Sequence, residues 1–336
     1  MRLWDASEKK GGRHKASLVQ PELVVAVGAA VDDRMAGSPM DDTLRWTNRS
    51  PRDIADELAN EGFSVCADTV RRILTEDLDL HLRQARKEEP ARNYPFRNEQ
   101  FEYISELRAR RAEQGWPVLS LDTKKKESLG NFFRPGAAYT DGILKVFDHD
   151  FATLGSGRLV PYGLYDLAWN EGFVLLSYGA DTSELACDTV WRWWQTVGRH
   201  RWRRAGGLLL LCDCGGGNGN RRHRFKEDLK QLAIRLGRTI QVAHYPPGSS
   251  KYNPIEHRMF CHVTRALRGV VLKTMEMAKQ FISRTRTRTG LRVIVETTEQ
   301  VYEKARKATR RFLDSMPVVY DTFLPDLNYS VTPYLF

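Results

Sequence analysis

Three acidic residues stand at positions from which a fold can bring their carboxylates together. Asp122 follows the apolar run 118–121 and Asp213 follows the apolar run 208–212, so each is expected at the end of a buried strand. Glu256 lies in the first turn of a predicted helix. Carboxylates on two strand ends and one helix are typical of a two-metal site for phosphoryl transfer, because hard divalent cations prefer oxygen ligands. The pattern predicts an enzyme that acts on the backbone of nucleic acids.

The predicted metal site holds two Mg²⁺ ions, for which Mn²⁺ can substitute. Asp122 is the predicted bridging ligand, and Asp213 and Glu256 each complete the shell of one ion. Each residue also has a structural alternative. Asp122 can simply end a strand, and Asp213 can be a turn residue before the glycines that follow it. Glu256 can be a capping-box glutamate, three residues after Asn253. Their joint occurrence on the elements of one fold favours the metal site.

Basic and polar residues around the three acids are candidate contacts to DNA. They are Lys124, Lys125, Lys126, Asn218, Arg221, Arg222, Ser250, Lys251, His257 and Arg258. The glycine run 215–219 lacks the Gly-Lys-Ser/Thr ending of a nucleotide-binding loop, so we interpret it as a flexible loop that lets DNA approach Asp213. His257 and Arg258 have an alternative as salt-bridge partners of the carboxylates, which the sequence leaves open. His244 is predicted to be a core histidine with its hydrogen bonds satisfied.

The composition favours a polyanionic partner. The 336 residues carry 52 Lys and Arg against 42 Asp and Glu, for a formal net charge of +10, and clustered cations bind nucleic acids through counterion release. The hydrophobic fraction of 41% supports a folded core. Five cysteines, an odd number, argue against a disulfide framework. No apolar run approaches the ~18–20 residues of a membrane span, so we expect a cytoplasmic protein associated with the nucleoid, without a membrane partner.

Five segments are predicted along the chain, on the basis of composition and periodicity. Residues 1–44 are a basic, partly disordered segment, 45–80 a helix-turn-helix DNA-binding domain, 81–115 a linker and a helix, 116–272 a catalytic domain, and 273–336 a basic helical tail. The small all-α domain therefore precedes a larger α/β domain.

Two short helices within the second segment produce the helix-turn-helix prediction. Ser50-Pro51 begins a helix, Gly62 ends it, and a second helix covers 67–74. The outward-facing residues of the second helix, which would contact DNA, are Thr69, Arg71 and Arg72. An ordinary pair of helices without DNA binding is the alternative.

The catalytic domain is predicted to have a ribonuclease-H-like fold. The predicted strands are 117–122, 127–133, 172–178, 208–212 and 239–245. Three successive strands followed by alternating helices and strands indicate a mixed five-stranded sheet flanked by helices. The first and fourth strands of this fold are neighbours, which would bring Asp122 beside Asp213. Residues 134–169 are predicted to be irregular.

Seven sequence blocks carry a resemblance to a known family of proteins. They read SLDTKKKE at 120–127, GNF at 130–132, HDF at 149–151, PYGLYD at 161–166, RWW at 192–194, DCGGGNG at 213–219 and PPGSSKYNPIEHR at 246–258. These blocks resemble the ISAzo-thirteen family of bacterial insertion-sequence transposases. The resemblance implies a DDE transposase in which Asp122, Asp213 and Glu256 bind metal. Cys214 and Pro254 depart from the family pattern, and the chain is expected to begin later than typical members.

The resemblance also implies a partner and a reaction. The partner is double-stranded DNA, both the terminal repeats of the element and the target, with a homodimer assembled on that DNA. The predicted function is binding of terminal inverted repeats and Mg²⁺-dependent strand cleavage and strand transfer. Two alternatives are a decayed or co-opted copy that acts only as a DNA-binding protein, and a ribonuclease-H-like nuclease that cuts RNA–DNA hybrids or branched DNA.

Overall fold

The computed structural model describes residues 19–32, 36–38, 41–83 and 94–334. The chain divides into two compact units, Met1–Glu88 and Glu89–Phe336. The predicted basic segment up to residue 18 and the linker residues 84–93 lie outside the described residues. Among the residues that the structure does describe, no helix has the length and apolar character needed to cross a membrane.

The described residues of the first unit form three helices and a hairpin. Its elements are helix α1 Pro21–Asp32, strands β1 Ala36–Ser38 and β2 Asp41–Trp46, helix α2 Pro51–Asn60, and helix α3 Ala67–Arg72, which a π-helical turn Ile73–Asp77 continues. Helix α2 begins with a capping box, in which Ser50 and Asp53 each accept a hydrogen bond from the other's backbone N–H. The predicted pair of helices is therefore present.

The first unit differs from the predicted all-α domain that begins at residue 45. Helix α1 supplies Leu23 and Val27 to a core that also contains Ile54, Leu58 and Val70. The N-terminal segment thus contributes a helix to the same core, and the hairpin β1–β2 adds strands. The hairpin was not predicted, because strands of three and six residues with few apolar side chains carry almost no periodic signal.

The second unit is built around a large sheet. Its strands are β3 Val118–Thr123, β4 Glu127–Leu129, β5 Gly157–Asp166, β6 Glu171–Tyr178, β7 Gly207–Cys212, β8 Thr239–His244, β9 Arg292–Thr297, β10 Val319–Tyr320 and β11 Asn328–Val331. Its α-helices of six residues or more are α4 Arg97–Glu113, α5 Ser183–Trp193, α6 His223–Leu236, α7 Cys261–Ala266, α8 Met275–Ser283 and α9 Arg310–Ser315. π-Helical turns extend α5 over Trp194–Gly198 and precede α7 over Glu256–Phe260.

The strand order is β10-β11-β8-β7-β3-β5-β6-β9, with β4 paired to β5. Strands β3, β7 and β8 are parallel, whereas β5 is antiparallel to both β3 and β6. The five central strands, taken in chain order, therefore lie in the spatial order fifth, fourth, first, second, third. This order and these directions are those of the ribonuclease-H-like fold, and the predicted mixed sheet flanked by helices is confirmed.

Two secondary-structure predictions in this unit are wrong. The second central strand is β5, which lies in the segment predicted to be irregular, while 127–133 contributes only the short strand β4. Pro161 and Gly163 within β5 hide its strand character, because both residue types disfavour a central strand. The tail from residue 273 is not purely helical, since β9, β10 and β11 extend the sheet at both margins.

Helices cover both faces of the sheet. On one face, Leu185, Trp193 and Phe225 from α5 and α6 pack on Leu119 and Leu121. On the other face, the turn before α7 packs Met259 and Phe260 against β5 and β6, within a cluster that also includes side chains of α8. The helices cover the two faces of the sheet but not the ends of β3 and β7, where the polar residues lie.

Glycines in the sheet allow the turn that bears Glu256 to approach closely. A Cβ atom built at Gly163 would lie 2.6 Å from the ring of Phe260, and one built at Gly172 would lie 2.1 Å from Met259 Sδ. Real Cβ atoms do not approach other atoms so closely, so only glycine permits this contact at both positions. Gly163, which obscured β5 in the sequence, and Gly172 of β6 are therefore part of what positions Glu256.

Candidate active site

The register of the parallel strands brings two of the three acids together. Ser120 of β3 is paired with Leu211 of β7. Asp122 and Asp213 each lie two residues further along their strands, so both reach the same edge of the sheet. Asp122 ends up 9% exposed and Asp213 partly buried. Both residues thus come from elements that the sequence predicted.

Hydrogen bonds between Ser120 and Asn253 attach the segment before Glu256 to β3. The Ser120 hydroxyl donates to Asn253 Oδ1 and accepts the N–H of Ile255 at 3.0 Å. Asn253 Nδ2 donates to the backbone oxygen of Leu121 at 3.4 Å. Ser120 and Asn253 are both fully buried. We call this arrangement the Ser120–Asn253 link, and it holds the backbone of Glu256 beside the strand that carries Asp122.

The Ser120–Asn253 link also bears on the capping alternative for Glu256. A capping box requires the Asn253 side chain to accept an N–H from the following turn. Its Oδ1 instead accepts from Ser120, and its backbone oxygen accepts the N–H of Glu256 at 3.0 Å. The structure therefore gives the capping role of Glu256 no support.

Mutual proximity of the carboxylates perturbs their protonation. Burial raises the pKa of Asp122 to about 8, and the charges of Asp213 and Glu256 add to this effect. Burial also raises the pKa of Asp213, with a contribution from the charge of Asp181. The pKa of Glu256 is raised by burial and by Asp213, against a hydrogen bond to Asp122 and the charge of Lys124. A cation between these groups would relieve their repulsion.

The donor set fits hard divalent cations, with two carboxylates for each ion. Within the described ranges, no three His, Cys, Asp or Glu side chains are close enough to hold a single ion. The predicted assignment does not require three, because Asp122 is shared and Asp213 and Glu256 each add one ligand. Mg²⁺ keeps several waters and often takes only one or two carboxylates from the protein. Carboxylates whose pKa values are raised by burial and by a neighbouring acid are chemically suited to such ions.

The glycine run after Asp213 is closely packed against Asp181. Gly217 N–H donates to Asp181 Oδ2 at 3.1 Å, and Gly215 N–H donates to Asp213 Oδ1 at 3.2 Å. A Cβ atom at Gly216 would lie 2.5 Å from Asp181 Oδ2. The glycines thus allow close packing around a carboxylate, which differs from the flexible loop inferred from the sequence.

The predicted DNA contacts around the acids fall into two groups. Lys124 and Asn218 are buried: Lys124 Nζ donates to Glu127 at 2.5 Å, and Asn218 Nδ2 donates to the backbone oxygen of Leu121 at 3.5 Å. These contacts give both side chains structural roles inside the unit. The exposed members are Lys125, Lys126, Arg221, Arg222, Ser250, Lys251, His257 and Arg258.

The contacts of the other predicted DNA-binding residues bear on their alternative roles. Among the described residues, neither His257 nor Arg258 forms an ion pair with a carboxylate within 4 Å, although the charge of His257 lowers the pKa of Glu256. In the first unit, Arg71 and Arg72 are exposed and Thr69 is half-buried, while Arg71 pairs with Asp68 at 2.9 Å. DNA contact by the exposed residues stays a prediction.

His244 supports the backbone of Asp213 from within the sheet. Its Nδ1 lies 2.7 Å from the Asp213 carbonyl oxygen and its Nε2 lies 3.1 Å from the Tyr329 hydroxyl. Because a carbonyl can only accept, Nδ1 carries the proton and Nε2 accepts from Tyr329. Burial lowers the pKa of His244 to about 4, so the ring is neutral. The sequence indicated a buried, satisfied histidine but not its contact with Asp213.

The fold and the site together define a class of protein. A ribonuclease-H-like sheet with acids at the ends of its first and fourth central strands is the integrase-type arrangement. The family model described as the Rhodopirellula transposase DDE domain matches residues 26–333, which is most of the chain. The chain belongs to this family of DDE transposases, and the resemblance to the ISAzo-thirteen family is confirmed.

Solved structures with a detectable likeness include complexes of the Mos1 transposase. The paired-end complex with the left transposon end is 14% identical, with a TM-score of 0.40, over 83% of this chain and 73% of that chain. The Mos1 strand transfer complex is 13% identical, with a TM-score of 0.42, over 83% and 72%. Such scores add nothing to the fold that the strand order establishes. No curated protein matches the sequence significantly.

Proposed function

We propose that this chain is the transposase of a bacterial insertion sequence, that it binds terminal inverted repeats, and that it catalyses Mg²⁺-dependent DNA strand cleavage and strand transfer. The observation that carries the proposal is the convergence of Asp122, Asp213 and Glu256 at one edge of a ribonuclease-H-like sheet. The family to which the chain belongs supports the same reaction class.

The proposed chemistry requires position and charge neutralisation more than covalent participation of the protein. Divalent ions, when bound, activate the attacking oxygen and stabilise the leaving oxygen. Asp122 would be shared by the ions, and Asp213 and Glu256 would each add one ligand. The Ser120–Asn253 link keeps Glu256 at β3, and His244 keeps the Asp213 backbone at the end of β7. The protein thereby holds its carboxylates in place before any ion or substrate arrives.

The proposed partner is double-stranded DNA, held by a homodimer in the cytoplasm at the nucleoid. The exposed cations beside the acids, Arg221, Arg222 and Lys125, support backbone contacts near the reacting phosphate. Helices α2 and α3 with Arg71 and Arg72 support recognition of the repeats by a helix-turn-helix. Both assignments belong to the proposal.

The test is nicking and joining of duplex DNA that carries the flanking element ends, with Mg²⁺ or Mn²⁺. Asp122→Asn is expected to reduce cleavage at least roughly 10²-fold, the scale of removing a charge-stabilising group from a transition state, while DNA binding persists. Asp141→Asn, which changes an exposed carboxylate, is the control and should cut like the wild type. If the wild type binds this DNA and never nicks it, the chain is a binding-only copy.

A further inference from the structure

Asp181 is an acidic residue that was not predicted as part of the metal site, although its charge acts on Asp122 and Asp213. It lies between β6 and α5, directly before Thr182, whose side chain caps α5. Its Oδ2 accepts the N–H of Gly217. Its Oδ1 is buried and has no hydrogen-bond partner among the described residues. A buried carboxylate oxygen without a hydrogen-bond donor costs free energy, so a bound group that donates to this oxygen would stabilise it.

A second buried group in the same place also lacks a partner. The Tyr162 side chain is fully buried, and its hydroxyl has no hydrogen-bond partner within the part of the chain that the structure describes. Tyr162 of β5 is paired with Thr123, the residue that follows Asp122. Burial raises the pKa of Tyr162, and the charges of Asp181 and Asp122 raise it further. The hydroxyl therefore lies near Asp181, at the level of β3 where Asp122 stands.

The charge of Asp181 affects the pKa values of two of the proposed metal ligands. It contributes to the raised pKa of Asp213 and, after burial and the other acids, to that of Asp122. The glycine run packs directly against Asp181. A Cβ atom at Gly217 would lie 2.6 Å from the backbone carbon of Thr182 and 2.9 Å from Asp181 Oδ1, so only glycine allows this contact. Asp181 is thus fixed beside the site by close packing.

We propose that Asp181 is a fourth carboxylate of the divalent-cation centre, and that its free oxygen and the Tyr162 hydroxyl together hold a water of the ion's hydration shell. Mg²⁺ gives up its waters reluctantly, and such waters need acceptors from the protein. The proposal rests on the proposed function, because it requires the cation centre. The alternative is that Asp181 only anchors the glycine run.

Metal binding separates these two roles without any need for cleavage. Mn²⁺ is titrated into the full-length protein without DNA, and free Mn²⁺ is measured by electron paramagnetic resonance. Asp181→Asn keeps the shape of the side chain and an oxygen for Gly217 N–H but removes the charge. Glu184→Gln is the matched control, because it removes one carboxylate charge from the first turn of the same helix, where Glu184 pairs with Arg306.

The proposal expects Asp181→Asn to raise the Mn²⁺ dissociation constant about tenfold or more, the effect of losing an outer partner of a metal site. Tyr162→Phe should raise it by a smaller factor, and Glu184→Gln should leave it unchanged. Mn²⁺ affinity of Asp181→Asn equal to that of Glu184→Gln overturns the proposal. If Asp181→Asn does not fold, Tyr162→Phe decides by the same criterion.

The two proposals fail in different ways. A wild type that binds Mn²⁺ and cuts DNA, with affinity unaffected by Asp181→Asn, overturns only the role of Asp181. A wild type that neither binds Mn²⁺ nor cuts DNA overturns the proposed function, and the role of Asp181 with it.

Discussion

His244 shows how one buried side chain ties the stability of the fold to the site. The ring must stay neutral to donate to Asp213 and accept from Tyr329. Its pKa is about 4 in the folded chain, below the ordinary value of 6.5. Between these values the unfolded chain binds a proton that the folded chain does not. Stability is therefore fully present above pH 6.5 and is lost as the pH falls towards 4.

This pH dependence gives a prediction for a histidine substitution. The wild type should lose roughly 3 kcal/mol of unfolding free energy through His244 between pH 6.5 and 4. His244→Asn retains a donor for the Asp213 carbonyl but does not titrate, so its stability should fall less over this interval. Urea denaturation with a chelator at pH 7, 5.5 and 4.5 measures the difference. His223→Gln, at an exposed histidine, should parallel the wild type; a constant gap between wild type and His244→Asn would contradict the prediction.

The individual residues that the sequence did not reveal depend on contacts from distant segments. Asp122, Asp213 and Glu256 could be predicted because each stands at an element boundary that is visible locally. Asp181 stands between a strand and a helix without any local sign of a role in the site, and only the packing of the glycine run against it indicates one. Asn218 was predicted to contact DNA from a loop, yet its side-chain amide donates a hydrogen bond to the backbone of β3. No local pattern separates these possibilities.

Among elements, the Ser120–Asn253 link is the connection on which the site depends most. Ser120→Ala removes two hydrogen bonds and leaves Asn253 Oδ1 and Ile255 N–H buried without that partner. We expect a loss of roughly 1–3 kcal/mol in unfolding free energy, together with slower DNA cleavage at unchanged DNA affinity. Denaturation and single-turnover cleavage measure the two effects.

A buried serine elsewhere in the sheet is the control for this substitution. Ser177 of β6 is fully buried, and its hydroxyl donates to the neighbouring carbonyl of Tyr178 at 3.1 Å. Ser177→Ala should cost stability without slowing cleavage. Equal cleavage rates in the two variants would show that the Ser120–Asn253 link does not position Glu256.

Most elements of the central sheet could be predicted, for a physical reason. Strands β3, β6, β7 and β8 are buried on both faces and appear as short, nearly continuous apolar runs. Strand β5 could not be recognised, because its glycine makes room for Phe260, about a hundred residues away. Strands β9 and β11 depend on partners at similarly long range, β6 and β8.

At the scale of the molecule, the C-terminal segment is part of the second unit's core. Strand β9 lies beside β6 and contributes Val293 and Val295, while β11 lies beside β8 and contributes Tyr329 and Val331. A chain that ends at residue 272 would expose this apolar surface and two unpaired strand edges, which favour aggregation.

Truncation therefore tests the extent of the folded unit. The chain ending at residue 272 is expected to be insoluble or to lose cooperative unfolding, whereas a chain ending at residue 333 retains every strand and should unfold like the wild type. Circular dichroism during thermal denaturation distinguishes the two. A chain of 272 residues that unfolds cooperatively at the wild-type midpoint would contradict this view of the sheet.

The Ser120–Asn253 link has a consequence for how such proteins diverge. Buried hydrogen bonds to β3 hold the backbone before Glu256, so its position depends only in part on the connection from β8 to Asn253. Insertions and deletions between residues 246 and 252 should leave the third carboxylate where it is. We therefore expect the spacing between the second and third acids to change among relatives more readily than the serine and the asparagine of the link.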